Sequence, residues 1–440
     1  MSTSNASFRR PPSWSSALRD RYHCALTSDL SDWWDREIWR YEAGGEFDQP
    51  VSPQSLLEEA PEVIWPGFML PDTLPILGNG YGDWLCLRFD ANNRPAEVIH
   101  WYHGGGDWMP WGRTLSEAIA FDYLRSRLPG RRQYYANVAQ EFDLRFGDQS
   151  IPDWAASHLP APVAEVLRQT EHDRSEVVYL DDTMLTEEVA AIAVRCEMTL
   201  RSLDSPLRQV LQPTKANHLG IPWEPDAVSW LFDNALVPPE RLNALATMLG
   251  RDADDLVGQD WSTAVEHASA VFEQRQDLSW AAAVMGWSHE KSNDPVAAIS
   301  IYRRALFGSS FADQSVRFRT HWFPESAGKF VVARLQHLAK QGNLELDADP
   351  YLKLFRDEEE SPLTRRLTDY WCNVAEIAEN EERWADAYNA YYRAGWDLGC
   401  DRMSTYEDLL TNMERVARSG GQLTRAELAT THRLCLLARM

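Results

Sequence analysis

Apolar positions along this chain follow two different periods. From about Ser15 to Gly147 they form short runs of strand character, punctuated by Gly and Pro; from about Ile151 onward they recur at helical spacing over long stretches. In the first part, Asp83-Trp-Leu-Cys-Leu-Arg-Phe-Asp90 and Ala96-Glu-Val-Ile-His-Trp-Tyr102 read as strands joined by the polar turn Asp90-Ala-Asn-Asn-Arg-Pro95. Asn92-Asn93 tolerates the positive φ that a tight antiparallel connection needs. Trp84, Leu85, Cys86, Leu87 and Phe89 supply apolar side chains to this hairpin. A helix is predicted over Leu30 to Tyr41 from Trp33, Trp34, Ile38 and Tyr41, and another from Thr114 to Leu124. Thr114 with Glu117 three positions on is the reciprocal cap that satisfies two orphan amides. These elements predict an α+β domain.

The second part reads as all-α. Leu185 to Arg195 is a predicted helix with Thr186 as N-cap, and Gln212 to Pro222 reads as a long connection. Trp280 to Leu306 reads as two amphipathic helices around Ser292-Asn-Asp-Pro295. Within it Gly286, Ala298, Tyr302 and Ala305 stand at offsets of 0, 12, 16 and 19 residues. Ala375, Ala387, Tyr391 and Ala394 repeat those offsets 89 residues later. These are the offsets at which tetratricopeptide repeats place small residues and an aromatic, so that two antiparallel helices approach closely. The interval is not a multiple of about 34, so the predicted array is irregular. Helices at Ser326 to Gln341 and Thr424 to Arg439 are expected to fill and cap it. The expected organisation is a disordered tail over 1–14, an α+β domain over 15–147, a mostly helical connection over 148–260 and tetratricopeptide-like helical hairpins over 261–440.

Composition narrows the function. With 440 residues and a formal charge of −23, the chain carries several domains and lacks the basic balance of a nucleic-acid binder. Partners, if charged, are expected to be basic. Met1 to Ser16 is Ser-rich without the apolar run of a secretory signal, and nowhere do about 18 apolar residues run together. The expectation is a cytoplasmic protein without a membrane span. The 6 cysteines are scattered, as expected of reduced thiols.

Within the first part, an amphipathic helix precedes the Pro-bounded Trp65-Pro-Gly-Phe-Met-Leu-Pro71. There follow Leu77-Gly-Asn-Gly-Tyr-Gly-Asp-Trp-Leu-Cys-Leu-Arg-Phe-Asp90, Val98-Ile-His-Trp-Tyr-His103 and a capped helix. This order resembles the SUKH superfamily, which includes the yeast cell-wall assembly regulator and bacterial proteins that neutralise partner toxins. Tyr41-Glu-Ala-Gly-Gly-Glu-Phe47 stands where that family carries an Asn-Gly-Gly loop. The resemblance implies a compact domain with an antiparallel sheet flanked by helices, used to bind other proteins. It implies neither a reaction nor a cofactor, and it makes an immunity role against a basic toxin domain one expectation and a regulatory scaffold the other.

Candidate chemistry is sparse. His100-Trp-Tyr-His103 with Asp107 has metal-ligand character, and with Glu97 as base it is the alternative reading, a metal-assisted hydrolase. On a strand, positions three apart face opposite ways, which favours ordinary histidines. Gly78-Asn-Gly-Tyr-Gly82 precedes a strand and not a helix, so it offers no phosphate site. Ser326-Ala-Gly-Lys329 has Ser-x-x-Lys spacing without its accompanying motifs. Asp357-Glu-Glu-Glu360 reads as a solvated loop. The 19 tryptophans point elsewhere. Trp33 and Trp84 read as core, whereas Trp101, Trp108 and Trp111 surround a Gly-rich loop and read as interface anchors. The predicted contact surface is Tyr81, Asp83, Trp101, Tyr102, Asp107, Trp108 and Trp111, with no catalytic residue, metal or cofactor.

Overall fold

Asp90 closes the turn that the Asn92-Asn93 pair suggests. Its Oδ1 accepts the amides of Asn92 and Arg94 at 2.8 and 2.9 Å, and Asn93 takes φ 62°, a left-handed conformation that Asn enters at low cost. The turn joins β3 (Trp84–Phe89) to β4 (Pro95–Trp101). The computed structural model describes residues 10–41, 45–103, 108–126, 151–168 without 162 and 166, 261–308, 329–342, 349–355 and 361–440. With β1 (Gln49–Pro50), β2 (Thr73–Gly78) and β5 (Trp108–Gly112), the hairpin forms a five-stranded antiparallel sheet in the order β1-β2-β3-β4-β5.

Pro75 hides β2 from a reading of the sequence, because proline lacks the N–H that a central strand donates. In the fold it pairs opposite Cys86, and the register is irregular between Pro75 and Leu77. Strand β1 is only two residues long and pairs with β2 at Leu77 and Gly78; it is the irregularity toward β3, between Pro75 and Leu77, that lets a proline stand in this strand.

Among the described residues, four α-helices precede residue 127. α1 (Trp14–Tyr22) is capped by the Ser13 hydroxyl, which accepts the Ser16 amide, and Trp14 is buried. Of the tail expected over 1–14, residues 10–14 are described and are ordered, leading into α1. The helix expected over Leu30 to Tyr41 is interrupted. α2 (Ser28–Asp35) stops, Glu37 turns to φ 58°, and a 3-10 turn follows over Ile38–Arg40. Trp33, Trp34 and Ile38 are buried, so the periodicity marks the core side without registering the break. Arg10 and Arg40 pair with Glu37 at 2.6 and 3.6 Å, holding the residue whose conformation ends the helix. A short α3 (Pro53–Leu56) receives the Tyr22 hydroxyl on the Leu56 carbonyl at 2.6 Å. At α4 (Leu115–Ser126) the Thr114 hydroxyl accepts the Glu117 amide at 3.2 Å, while the Glu117 carboxylate accepts the amide of Arg113 at 2.8 Å. Asp29 adds a cap from α2, accepting the Ser116 amide at 3.1 Å.

After α5 (Ile151–Ser157), the next described elements are α6 (Trp261–Gln274), α7 (Ser279–Lys291), α8 (Pro295–Arg304), α9 (Phe330–Gly342), α10 (Pro350–Leu354), α11 (Leu363–Asn380), α12 (Trp384–Trp396), α13 (Met403–Ser419) and α14 (Leu423–Arg439). The boundary at Gly147, the Thr186 helix and nearly all of the 148–260 connection lie outside the described residues.

Three of these helices end in the same way. Asn293, Glu382 and Gly421 take φ 56°, 56° and 72°. The next residue's amide then reaches back five positions: Asp294 to the His289 carbonyl at 2.9 Å, Arg383 to Ala378 at 2.8 Å, and Gln422 to Ala417 at 2.8 Å. This is the Schellman ending, which satisfies orphan carbonyls and reverses the chain. The first two hairpins share one hydrogen bond, from the aromatic at offset 16 to a glutamate at offset 4. A Cβ on Gly286 would stand 2.2 Å from the Tyr302 ring, and the Tyr302 hydroxyl donates to Glu290 at 2.8 Å. The Tyr391 hydroxyl donates to Glu379 at 2.6 Å, at the same offset from Ala375.

The chain packs as two units. One holds the described residues of 1–99, 111–179 and 410–440, the other those of 100–110 and 180–409. Helix α14 thus belongs with α1 and β2 and not with the helical region over 261–440 to which its sequence position assigns it. The Thr424 hydroxyl donates to the His23 carbonyl at 2.9 Å, Arg425 to the Phe89 carbonyl at 3.2 Å, and the Cys435 thiol to the Pro61 carbonyl at 3.4 Å. Arg21 pairs with Glu427. Asn93, already the turn residue between β3 and β4, caps α14 from outside, its Oδ1 accepting the Thr424 amide at 2.9 Å. Among the described residues no helix is long and apolar enough to cross a membrane.

Candidate interaction site

The connection between β2 and β3 is organised by one side chain. Asn79 is buried, and its Oδ1 accepts the amides of Tyr81 and Asp83, each at 2.9 Å. Its Nδ2 donates toward Glu46 Oε1 at 3.3 Å and Asp83 Oδ2 at 3.4 Å. The glycines around it serve geometry. Gly82 takes φ 87°, and a Cβ on Gly78 would stand 2.9 Å from the Trp84 ring, which lies across it. Trp84, expected as core, is accordingly only half-buried. The result is a fixed turn that presents Tyr81 at 60% exposure, next to the carboxylates of Asp83 and Glu46. An aromatic face beside two carboxylates suits a Lys or Arg side chain, whose stem packs on the ring while its head group is paired.

The tryptophans expected beside this turn are elsewhere. Trp101, Trp108 and Trp111 are all buried, Trp108 to 2%. The physical reason is β5. The segment after the Gly-rich loop is a strand whose five residues are all buried, and it is not an open loop. Trp111 meets Phe121 edge-on at 4.8 Å and Phe47 at 6.2 Å, and Trp108 lies under the Arg275 guanidinium at 6.0 Å. Gly112 allows close packing, since a Cβ there would stand 2.5 Å from the Ala118 amide. Tyr102 is half-buried, with its hydroxyl 3.1 Å from Met109 Sδ. Asp107 lies outside the described residues.

Of the residues of the alternative hydrolase reading, Glu97, His100 and His103 are described, and they stand in different surroundings. His100 is buried and stacks on Tyr102 at 3.8 Å, whereas His103 is exposed. Glu97 is buried against Arg88 at 3.2 Å, and Arg88 also reaches Asp72 at 3.3 Å. Among the described residues, no three His, Cys, Asp or Glu side chains are grouped as metal ligands. Lys329, the lysine of the Ser-x-x-Lys spacing, is buried and engaged. Its Nζ lies 2.5 Å from Asp397 Oδ1 and donates to the Tyr351 hydroxyl at 2.7 Å and the Leu306 carbonyl at 3.1 Å. Burial, reinforced by the Asp397 charge, holds the Tyr351 phenol well above its usual range, so it stays a donor. Ser326 and Asp357 to Glu360 lie outside the described residues. Burial likewise pushes the Cys24 thiol up to about 12, and the described cysteines are all free thiols.

Exposed aromatics also occur where they were not anticipated, at Trp65 and Phe68. The Gly and Pro residues around them signal a turn, and a turn is where an apolar side chain can be held outward. No protein-family model, curated protein or solved structure matches this chain.

Proposed function

We propose that the chain is a non-catalytic interaction protein, a SUKH-like α+β domain joined to tetratricopeptide-like helical hairpins, which binds a basic polypeptide. The β2–β3 turn, with Tyr81, Asp83 and Glu46, is the contact surface. Toxin neutralisation and regulatory scaffolding are the two uses this chemistry serves. One observation carries the reading: Tyr81 is held outward by an Asn79-centred turn whose neighbours are carboxylates. A side chain ordered before binding loses less freedom on binding, which is how an anchor residue contributes affinity. The five-stranded antiparallel sheet and the repeated small-residue spacing support the two architectural resemblances.

The test uses the full chain as bait in native lysate beside a Tyr81→Ala/Asp83→Asn variant. A stoichiometric basic protein should be retained by the first and lost from the second, with retention falling as salt rises. Equal retention by both baits would remove this turn from the binding surface.

A further inference from the structure

The strongest unassigned surface is the segment before β2, residues 58–68. Glu58, Glu59 and Glu62 are exposed along it, and Trp65 and Phe68 follow at 41% and 49% exposure. These aromatics are not loose. Ile64, Met69 and Leu70 are fully buried on either side of them. The Trp65 carbonyl accepts the Met69 amide at 2.8 Å, and Gly67 takes φ 82°. From α14, Arg439 donates to the Ile64 carbonyl and, at 2.7 Å, to the Glu62 carbonyl, while its guanidinium lies 5.4 Å from the Trp65 ring. The backbone beneath two outward aromatics is therefore fixed by buried anchors and by a helix about 375 residues away in sequence.

Fixed, exposed aromatic area is what a binding anchor requires, because its ordering cost is met on folding. The charge beside it selects the occupant. Three carboxylates stand free to pair, whereas the neighbouring cation, Arg439, is committed to backbone carbonyls. We infer that residues 58–68 form a second docking surface, for a basic polypeptide segment that alternates cationic with apolar side chains. This inference rests on the chain being a polypeptide binder and not on the β2–β3 turn.

The probe is a short fluorescent peptide of alternating Lys and Leu, with Lys/Ser and Glu/Leu peptides of equal length as controls, titrated against the full chain. Lys/Leu should bind, Lys/Ser should bind at least about tenfold more weakly, and Glu/Leu should not bind. Trp65→Ala/Phe68→Ala should weaken Lys/Leu about tenfold or more, as truncation of anchor aromatics does. Glu58→Gln/Glu59→Gln/Glu62→Gln touches only exposed side chains, so its fold is not at issue; it should weaken binding several-fold and flatten its salt dependence. Because the β2–β3 turn is itself proposed to take basic side chains, the titrations are repeated in the Tyr81→Ala/Asp83→Asn background; there Trp65→Ala/Phe68→Ala should still weaken Lys/Leu about tenfold or more, which separates failure here from failure of the turn. The inference is overturned if wild type does not bind Lys/Leu, if Lys/Ser or Glu/Leu binds as well, or if the carboxylate variant binds like wild type.

Discussion

Lys329 shows how far a residue's surroundings set its meaning. Three positions after Ser326 it completes a Ser-x-x-Lys spacing that lacks its accompanying motifs; in the fold it is a buried cation matched by Asp397, whose other oxygen accepts Tyr351 at 2.6 Å and Trp371 at 3.0 Å. A pair buried on both sides stabilises little in total, yet losing one member strands a charge in low dielectric. Lys329→Met should therefore destabilise the protein by about 3 kcal/mol, and Lys329→Met/Asp397→Leu should recover much of that loss. Urea unfolding of the two variants checks this; equal stability of single and double variants would contradict it. Trp108 teaches the converse lesson. Its surroundings in sequence, glycines and a proline, suggest exposure, but composition around a residue does not say whether the chain re-enters the sheet.

Among elements, α14 is the one whose role depends most on distant partners. Its N-terminus is capped by Asn93, its middle places His432 Nε2 3.4 Å from the Thr73 carbonyl, and Arg439 near its end holds residues 62–64. His432 is fully buried. Burial lowers its pKa to about 4, with Arg439 acting in the same direction and the Thr73 carbonyl and Asp72 opposing. Above the ordinary value near 6.5 the ring is neutral whether the chain is folded or not. Between about 6.5 and 4 only the unfolded chain takes up the proton, so stability falls with falling pH, by up to about 1.4 kcal/mol per unit, and the loss levels off below about 4. Urea midpoints of wild type and His432→Gln across that range should show the shallower slope in the variant. Parallel slopes would place the acid sensitivity elsewhere.

For the whole molecule, two packing units imply two cooperative steps, because each has its own buried core. Calorimetry of the full chain should resolve two transitions. Deleting residues 421–440 should lower or abolish one and leave the other in place; a single two-state transition in the full chain would show that the units do not unfold separately. The sequence alone determined the β3–β4 hairpin, the Thr114 cap and the two helical hairpins. Each rests on residues close together in the chain, where turn chemistry, capping and helical spacing operate. Only the tertiary structure decided the rest. β2 was hidden because Pro75 is acceptable inside a sheet only at an irregularity such as the one between Pro75 and Leu77, and β5 because burial of Trp108 and Trp111 needs a sheet to bury them. The assignment of α14 was hidden because its amphipathic face fits any apolar partner. Hydrogen bonds to Asn93, His23, Phe89 and Pro61, over 300 residues away in sequence, select among them.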